Sequence, residues 1–208
     1  MLDSQGFDIW SEDYEQYVER SSTGYPFEGY YDVLNYMYSL AGKKDGAKIL
    51  DIGVGTGILP SQLYKDGATI YGIDFSAKMI DIAREKMPKA KFFCADFNNG
   101  LPSELGGERF DYVISSYAIH HLDDDKKVEF INQLCDVLDN GGSVVIGDVA
   151  FRSEEELKKC REKTGKSWDC DEIYVVADTM SKRLMDAGLS VRYKQVSSCA
   201  GVMEIKKG

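Results

Sequence analysis

The stretch Ile49-Leu50-Asp51-Ile52-Gly53-Val54-Gly55-Thr56-Gly57 constrains this chain more than any other. An apolar run ends in an acid, a glycine-rich turn follows, and Ile58-Leu59-Pro60-Ser61-Gln62-Leu63-Tyr64 can open a helix. Strand, tight turn and helix in that order make the first unit of a doubly wound α/β sheet. Glycine has no Cβ and tolerates φ > 0, so such a turn lets the backbone pass close to a ligand. A Walker A loop would end in Gly-Lys-Ser/Thr, but Gly57 is followed by Ile58. A dinucleotide loop would read G-x-G-x-x-G, whereas Ile58 stands where the last glycine would be. Asp51 at the mouth of the turn would also repel a pyrophosphate.

S-adenosylmethionine (SAM) reverses that last objection. It carries no phosphate, and its ammonium and sulfonium are cations that a carboxylate attracts. The segment resembles motif I of the class I SAM-dependent methyltransferases, and further motifs follow in the order that family shows. Thr69-Ile70-Tyr71-Gly72-Ile73-Asp74 is a second strand ending in an acid, 17 residues after Gly57, and Phe75-Ser76-Ala77-Lys78-Met79 follows it. Ala90-Lys91-Phe92-Phe93-Cys94-Ala95-Asp96 is a third strand with the same ending. Phe110-Asp111-Tyr112-Val113-Ile114-Ser115-Ser116-Tyr117 is a fourth, leading into Ala118-Ile119-His120-His121-Leu122. Leu138-Asp139-Asn140-Gly141-Gly142-Ser143-Val144-Val145-Ile146 resembles the fifth-strand signature. Within the family, the Ser-Ser-Tyr-Ala-x-His-His-Leu run is similar to that of the YrrT-like methyltransferases of Gram-positive bacteria.

The resemblance implies a Rossmann-like α/β fold. Its sheet has seven strands in the order 3-2-1-4-5-7-6, the last antiparallel, with a helical extension at the N-terminus. One domain is expected over 1–208, with 1–42 as the extension and 43–208 as the SAM-binding core. The resemblance also implies roles. Asp74 would accept from both ribose hydroxyls, since a carboxylate has two acceptor oxygens. Asp96 would accept from the adenine amino group, and the Phe97 amide would donate to a ring nitrogen. Asp51 would act on the ammonium, with Gly53 and Gly55 admitting the methionine carboxylate and the ribose. Met79 is either an apolar face against the adenine or a core methionine. Tyr14 resembles the tyrosine that approaches the methionine end of SAM, and Tyr117 is a second aromatic candidate near the sulfonium. Bland readings stand beside these: strand-end acids also cap helices, and aromatics at helical spacing, such as Trp10, Tyr14 and Tyr17, also pack cores.

His120 and His121 are the chain's two histidines. His120 is the candidate general base, and His121, beside Leu122, reads as a packing or helix-start residue. A sulfonium leaving group needs little beyond in-line placement of the nucleophile, and a thiol acceptor would need no strong base.

A net charge of −10 argues against nucleic acid as a partner, because a concentrated basic surface is missing. Five cysteines, an odd number without C-x-x-C, read as reduced thiols in a cytoplasmic chain, and no apolar run reaches membrane length. No metal is expected: Cys160 and Cys170 lack ligand spacing, and Asp123-Asp124-Asp125 reads as a helix cap with first-turn acids.

Periodicity adds the remaining elements. Helices are expected over Glu28–Ala41, after strand 2 as far as Pro88, over Asp124–Leu138 closed by Gly141-Gly142, and over Ser153–Lys166. Ile173, Val176, Ala177, Met180, Leu184 and Ala187 form one further helical stripe, and Leu189–Val196 and Val202–Ile205 are the last strands. The expected activity is transfer of a methyl group from SAM to a small-molecule acceptor, with S-adenosylhomocysteine (SAH) as product. The alternative is a protein that holds SAM or SAH without turnover. An NAD-dependent reductase is disfavoured by the glycine spacing and by the lack of any Tyr-x-x-x-Lys pair.

Overall fold

The structure, a computed structural model, describes residues 24–208. Its centre is a mixed sheet built from β1 (Lys48–Ile52), β2 (Thr69–Asp74), β3 (Lys91–Cys94), β4 (Phe110–Ser116), β5 (Leu138–Phe151), β6 (Val175–Val176), β7 (Leu189–Gln195) and β8 (Ala200–Lys207). The order is β3-β2-β1-β4-β5-β8-β7, with β6 pairing to the end of β5. Strands β1 to β5 run parallel, and β8 lies antiparallel to both β5 and β7. This is the expected fold with one added strand.

The central strands are buried on both faces. Ile49, Leu50 and Ile52 of β1 and Val113 and Ile114 of β4 have no exposed surface, as continuous apolar runs in a covered parallel sheet require. One face is covered by α1 (Tyr30–Ala41), α2 (Ile58–Lys65) and α3 (Ala77–Lys86). Helix α1 buries Val33, Leu34, Met37 and Leu40 at the 3/4 spacing that makes one stripe. The other face is covered by α4 (Asp124–Asp136) and α6 (Ala177–Asp186), through Phe130, Ile131, Leu134, Met180 and Leu184. Helix α5 (Glu154–Thr164) buries no residue and is capped by Ser153, whose side chain accepts from Glu156 N.

Several boundaries differ from the sequence expectation, two of them for clear physical reasons. Helix α4 stops at Asp136, and Gly141-Gly142 lies inside β5 rather than closing the helix. There β5 bulges: Phe110 pairs with Leu138 but Tyr112 already pairs with Ser143. A Cβ at Gly142 would come within 2.8 Å of the Asp111 carbonyl, so this crowded crossing needs glycine. The stripe from Ile173 does not begin a helix. Val175 and Val176 pair with Ala150 and Phe151 instead, and α6 starts at Ala177. Two β-branched residues beside the free end of a long strand are better placed in a ladder than in a first helical turn.

Candidate functional site

A cleft opens at the carboxyl ends of β1, β2 and β4, where open α/β sheets bind ligands. It is lined by the turn from Gly53 to Gly57, by Asp74, Phe75 and Met79, by Phe97, by Ser116, Tyr117, Ala118 and His121, and by Tyr30 from α1. The space it encloses together with its open mouth is about 660 Å³.

The glycine turn is fixed by its own backbone. Gly53 and Val54 both donate to Ile73 O, at 2.9 and 3.0 Å, which ties the turn to the end of β2. Gly53 has φ +70, and a Cβ there would lie 2.5 Å from Ala118 Cβ across the cleft floor. Gly53→Ala should therefore cost about 1–3 kcal/mol from overpacking and left-handed strain. Denaturant melts of the two proteins would measure it, and equal midpoints would show that the floor can give. At Gly55, φ +53, a Cβ would meet no atom within 4 Å. That glycine keeps open space beside the backbone.

Asp74 closes β2 at 6 % exposure. Its Oδ2 accepts from Gly55 N at 2.8 Å and its Oδ1 from Ser76 N at 2.9 Å. The carboxylate thus braces the turn and the start of α3 while facing the cleft. Asp51 is different. It is 1 % exposed, and neither of its oxygens has a hydrogen-bond partner among the described residues. Burial, then the charge of Asp74, pushes its carboxyl well above the usual carboxylate range. A buried carboxylate without a donor is costly, and a cation close by is what would offset that cost.

The expected site residues separate into three groups. Gly53, Gly55, Asp74, Met79, Phe97 and Tyr117 converge on the cleft. Met79 is 3 % exposed and forms part of the lining. Tyr117 sits at φ +51, a strained conformation for a tyrosine, and its ring lies 4.8 Å from that of Tyr30. Asp51 lies outside the lining, close enough to Asp74 for that carboxylate's charge to raise its own carboxyl further. Asp96 is exposed and also outside the lining. It caps the short turn Phe97–Asn99, accepting from Asn98 N at 2.9 Å. Tyr14 lies outside the described residues.

The histidines exchange the places expected of them. His121 lines the cleft, and His120 is buried behind it at 8 % exposure. They occupy successive positions of the 3₁₀ turn Ile119–His121. With three residues per turn, neighbours point about 120° apart, so only one can face the cleft. His120 Nδ1 is 2.7 Å from Asp148 Oδ1, and its Nε2 is 3.4 Å from Glu172 Oε1. Burial opposes the His120 cation, but Asp148 and then Glu172 outweigh it and hold the imidazole above its ordinary range. Burial and the neighbouring His120 charge depress His121 to about 4. Sequence reasoning also missed Tyr30 and Thr56 as lining residues. In the sequence Tyr30 is only one apolar position of the helical stripe that continues through Val33, Leu34 and Met37.

DhpI, in a structure of its SAH complex, superposes with a TM-score of 0.71 at 18 % identity, covering 99 % of this chain and 95 % of that one. At that identity the match establishes the Rossmann-like methyltransferase fold. Residues 49–142 match the family described as a methyltransferase domain. An uncharacterized methyltransferase of Geobacillus sp. (strain WCH70) is 33 % identical over 97 % of this chain and 96 % of its own length. The uncharacterized methyltransferase YrrT of Halobacillus halophilus is 30 % identical over the same shares. The chain belongs to this family of methyltransferases.

Proposed function

We propose that this chain transfers a methyl group from SAM to a small-molecule acceptor. The observation that carries the reading is Asp51, a buried carboxylate with no donor among the described residues, set against Asp74 beneath a glycine turn with open space at Gly55. Bound SAM would supply a methyl group already activated by its sulfonium, leaving as neutral SAH. The chain's own part is to hold and orient. Asp74 and the Gly53–Gly57 turn bind the nucleoside and its methionine end. Asp51 answers the ammonium through its field rather than by contact. Met79 and Phe97 offer apolar surface to the adenine. Phe97 is held by stacking on Phe130, with centroids 5.7 Å apart. Tyr30 and Tyr117 face the cleft from opposite elements and exclude water around the reacting centre. An aromatic face beside a cation contributes about 0.5–2 kcal/mol. Asp96, exposed and capping its own turn, is assigned no direct part.

The acceptor is proposed to be small because, among the described residues, the cleft is bordered by Tyr30 of α1 and by the turns at the strand ends, with no large insertion over it. A cytoplasmic location is proposed with it, since all five cysteines are free. Among the described residues no helix is long and apolar enough to cross a membrane.

SAM at about 100 times its Kd should stabilise the protein by about 2.7 kcal/mol. At about 2–4 °C per kcal/mol for a chain of this size, the melting temperature should rise by about 5–10 °C. NADH should leave it unchanged, and a shift with NADH alone would overturn the cofactor. Release of SAH from SAM with a mixture of small metabolites would establish turnover. Binding without it would assign the chain to a SAM-sensing role.

A further inference from the structure

Beside the cleft, two segments far apart in the chain bring together two histidines and a carboxylate. His120, His121 and Glu172 each offer one ligand atom, and the three atoms lie within 4.8 Å of one another. We propose that they form a binding site for one divalent transition-metal ion, of the two-histidine, one-carboxylate kind.

Three features support the site. The first is spacing. Two ligand atoms each about 2.1 Å from one ion at a tetrahedral angle lie about 3.4 Å apart. His120 Nε2 and Glu172 Oε1 are 3.4 Å apart. The second is orientation. In the neutral imidazole, Asp148 Oδ1, 2.7 Å from His120 Nδ1, favours the tautomer protonated at Nδ1, which leaves the Nε2 lone pair on the side of Glu172 for an ion to take. A carboxylate behind a histidine in this way fixes the tautomer and strengthens the ligand. Asp148 is itself held, at 2 % exposure, by the backbone N–H groups of Val149 at 2.7 Å and His120 at 3.3 Å.

The third feature is preorganisation. Ile173 N donates to His120 O at 2.9 Å. The fully buried Lys127 donates from Nζ to Leu122 O at 2.6 Å and to Ile173 O at 2.7 Å. These carbonyls belong to the residues that follow His121 and Glu172, so one ammonium pins both ligand-bearing segments.

His121 belongs to the cleft lining, so a bound ion would border the space proposed for the acceptor. Three protein ligands leave a position open, and an acceptor with an ionisable oxygen or sulfur could enter it. The metal would favour loss of that atom's proton to water and present the anion to the methyl group. Only this consequence rests on the methyl-transfer reading; metal binding does not.

The test uses chelator-treated full-length protein titrated with Zn²⁺ by calorimetry and with Co²⁺ by visible absorption. One ion per chain is expected. Glu172→Gln, a change on a partly exposed loop, should weaken it at least tenfold, and Asp148→Asn by about 10–100-fold through the oriented histidine. His121→Ala, checked for folding by circular dichroism, should abolish it. No saturable uptake would overturn the site. So would uptake that survives equally in Glu172→Gln and His121→Ala, since the ion would then sit on the free thiols. A SAM-induced melting shift on the same preparations separates the two readings. A metal without SAM binding removes the methyl-transfer proposal alone, and SAM binding without a metal removes this site alone.

Discussion

Asp51→Asn should melt above the parent protein when ligand is absent and bind SAM more weakly. The substitution keeps the side chain's shape and removes an ionisable group that is 1 % exposed and lacks a donor among the described residues. Relieving a buried, unpaired carboxylate beside a second one should gain about 1–2 kcal/mol, or about 3–6 °C at this chain length. The pH dependence follows from the direction of the shift. The folded pKa of Asp51 lies above its unfolded value. Its contribution to stability is therefore fully present below the unfolded pKa and is lost as pH rises through the folded one. The variant's advantage should accordingly grow with pH. SAM affinity should fall about 10–100-fold, or about 1.4–2.7 kcal/mol, since the ammonium loses its nearest uncompensated countercharge. Thermal melts at pH 6 and pH 9, with a SAM titration, check both halves. A variant that melts lower at every pH would show that the carboxylate stabilises the fold. Destabilisation held in a binding site, and released when a ligand enters, is a recurring trade between stability and function.

The other large effect belongs to Lys127. Its side chain has no exposed surface, and burial holds its ammonium below the usual lysine range. Its Nζ donates to two backbone carbonyls and lies 3.3 Å from Asp124 Oδ1. Lys127→Met fills the same volume with an apolar chain but strands both carbonyls, each at about 1–3 kcal/mol. We expect a loss of about 3–5 kcal/mol, as when one partner of a buried charged pair is removed, and a fall in Tm of about 6–20 °C. A change below about 1 kcal/mol in denaturant melts would mean that water replaces the ammonium, and the clasp between Leu122 and Ile173 would then be dispensable.

Lys127 also marks where sequence reasoning stops. A lysine in the first turns of a helix rich in Asp and Lys reads as solvated, and nothing local says that residues 173–176 fold over it. The same loop hides Glu172, which reaches His120 only because β6 pairs with the end of β5. Short-range signals were legible. The glycine turn, the apolar runs of β1 to β5 and the stripes of α1, α4 and α6 carry their structure in residue spacing, and the order of the motifs gave the sheet. Asp74 was legible because it ends a strand beside the turn. Asp96 carries the same signal, yet its strand lies at the sheet edge and its side chain caps the following turn. Which of two adjacent histidines faces the cleft depends on the phase of a single 3₁₀ turn, and sequence does not set that phase.

Calorimetric titration of SAM into the unmodified chain and into Asp51→Asn, side by side, is the most direct measurement of whether this buried acid pair exists for a cationic nucleoside. One site per chain on the parent, weakened at least tenfold in the variant, is the predicted result. Equal affinity for SAM in both proteins, or saturable binding of NADH in place of SAM, would contradict it.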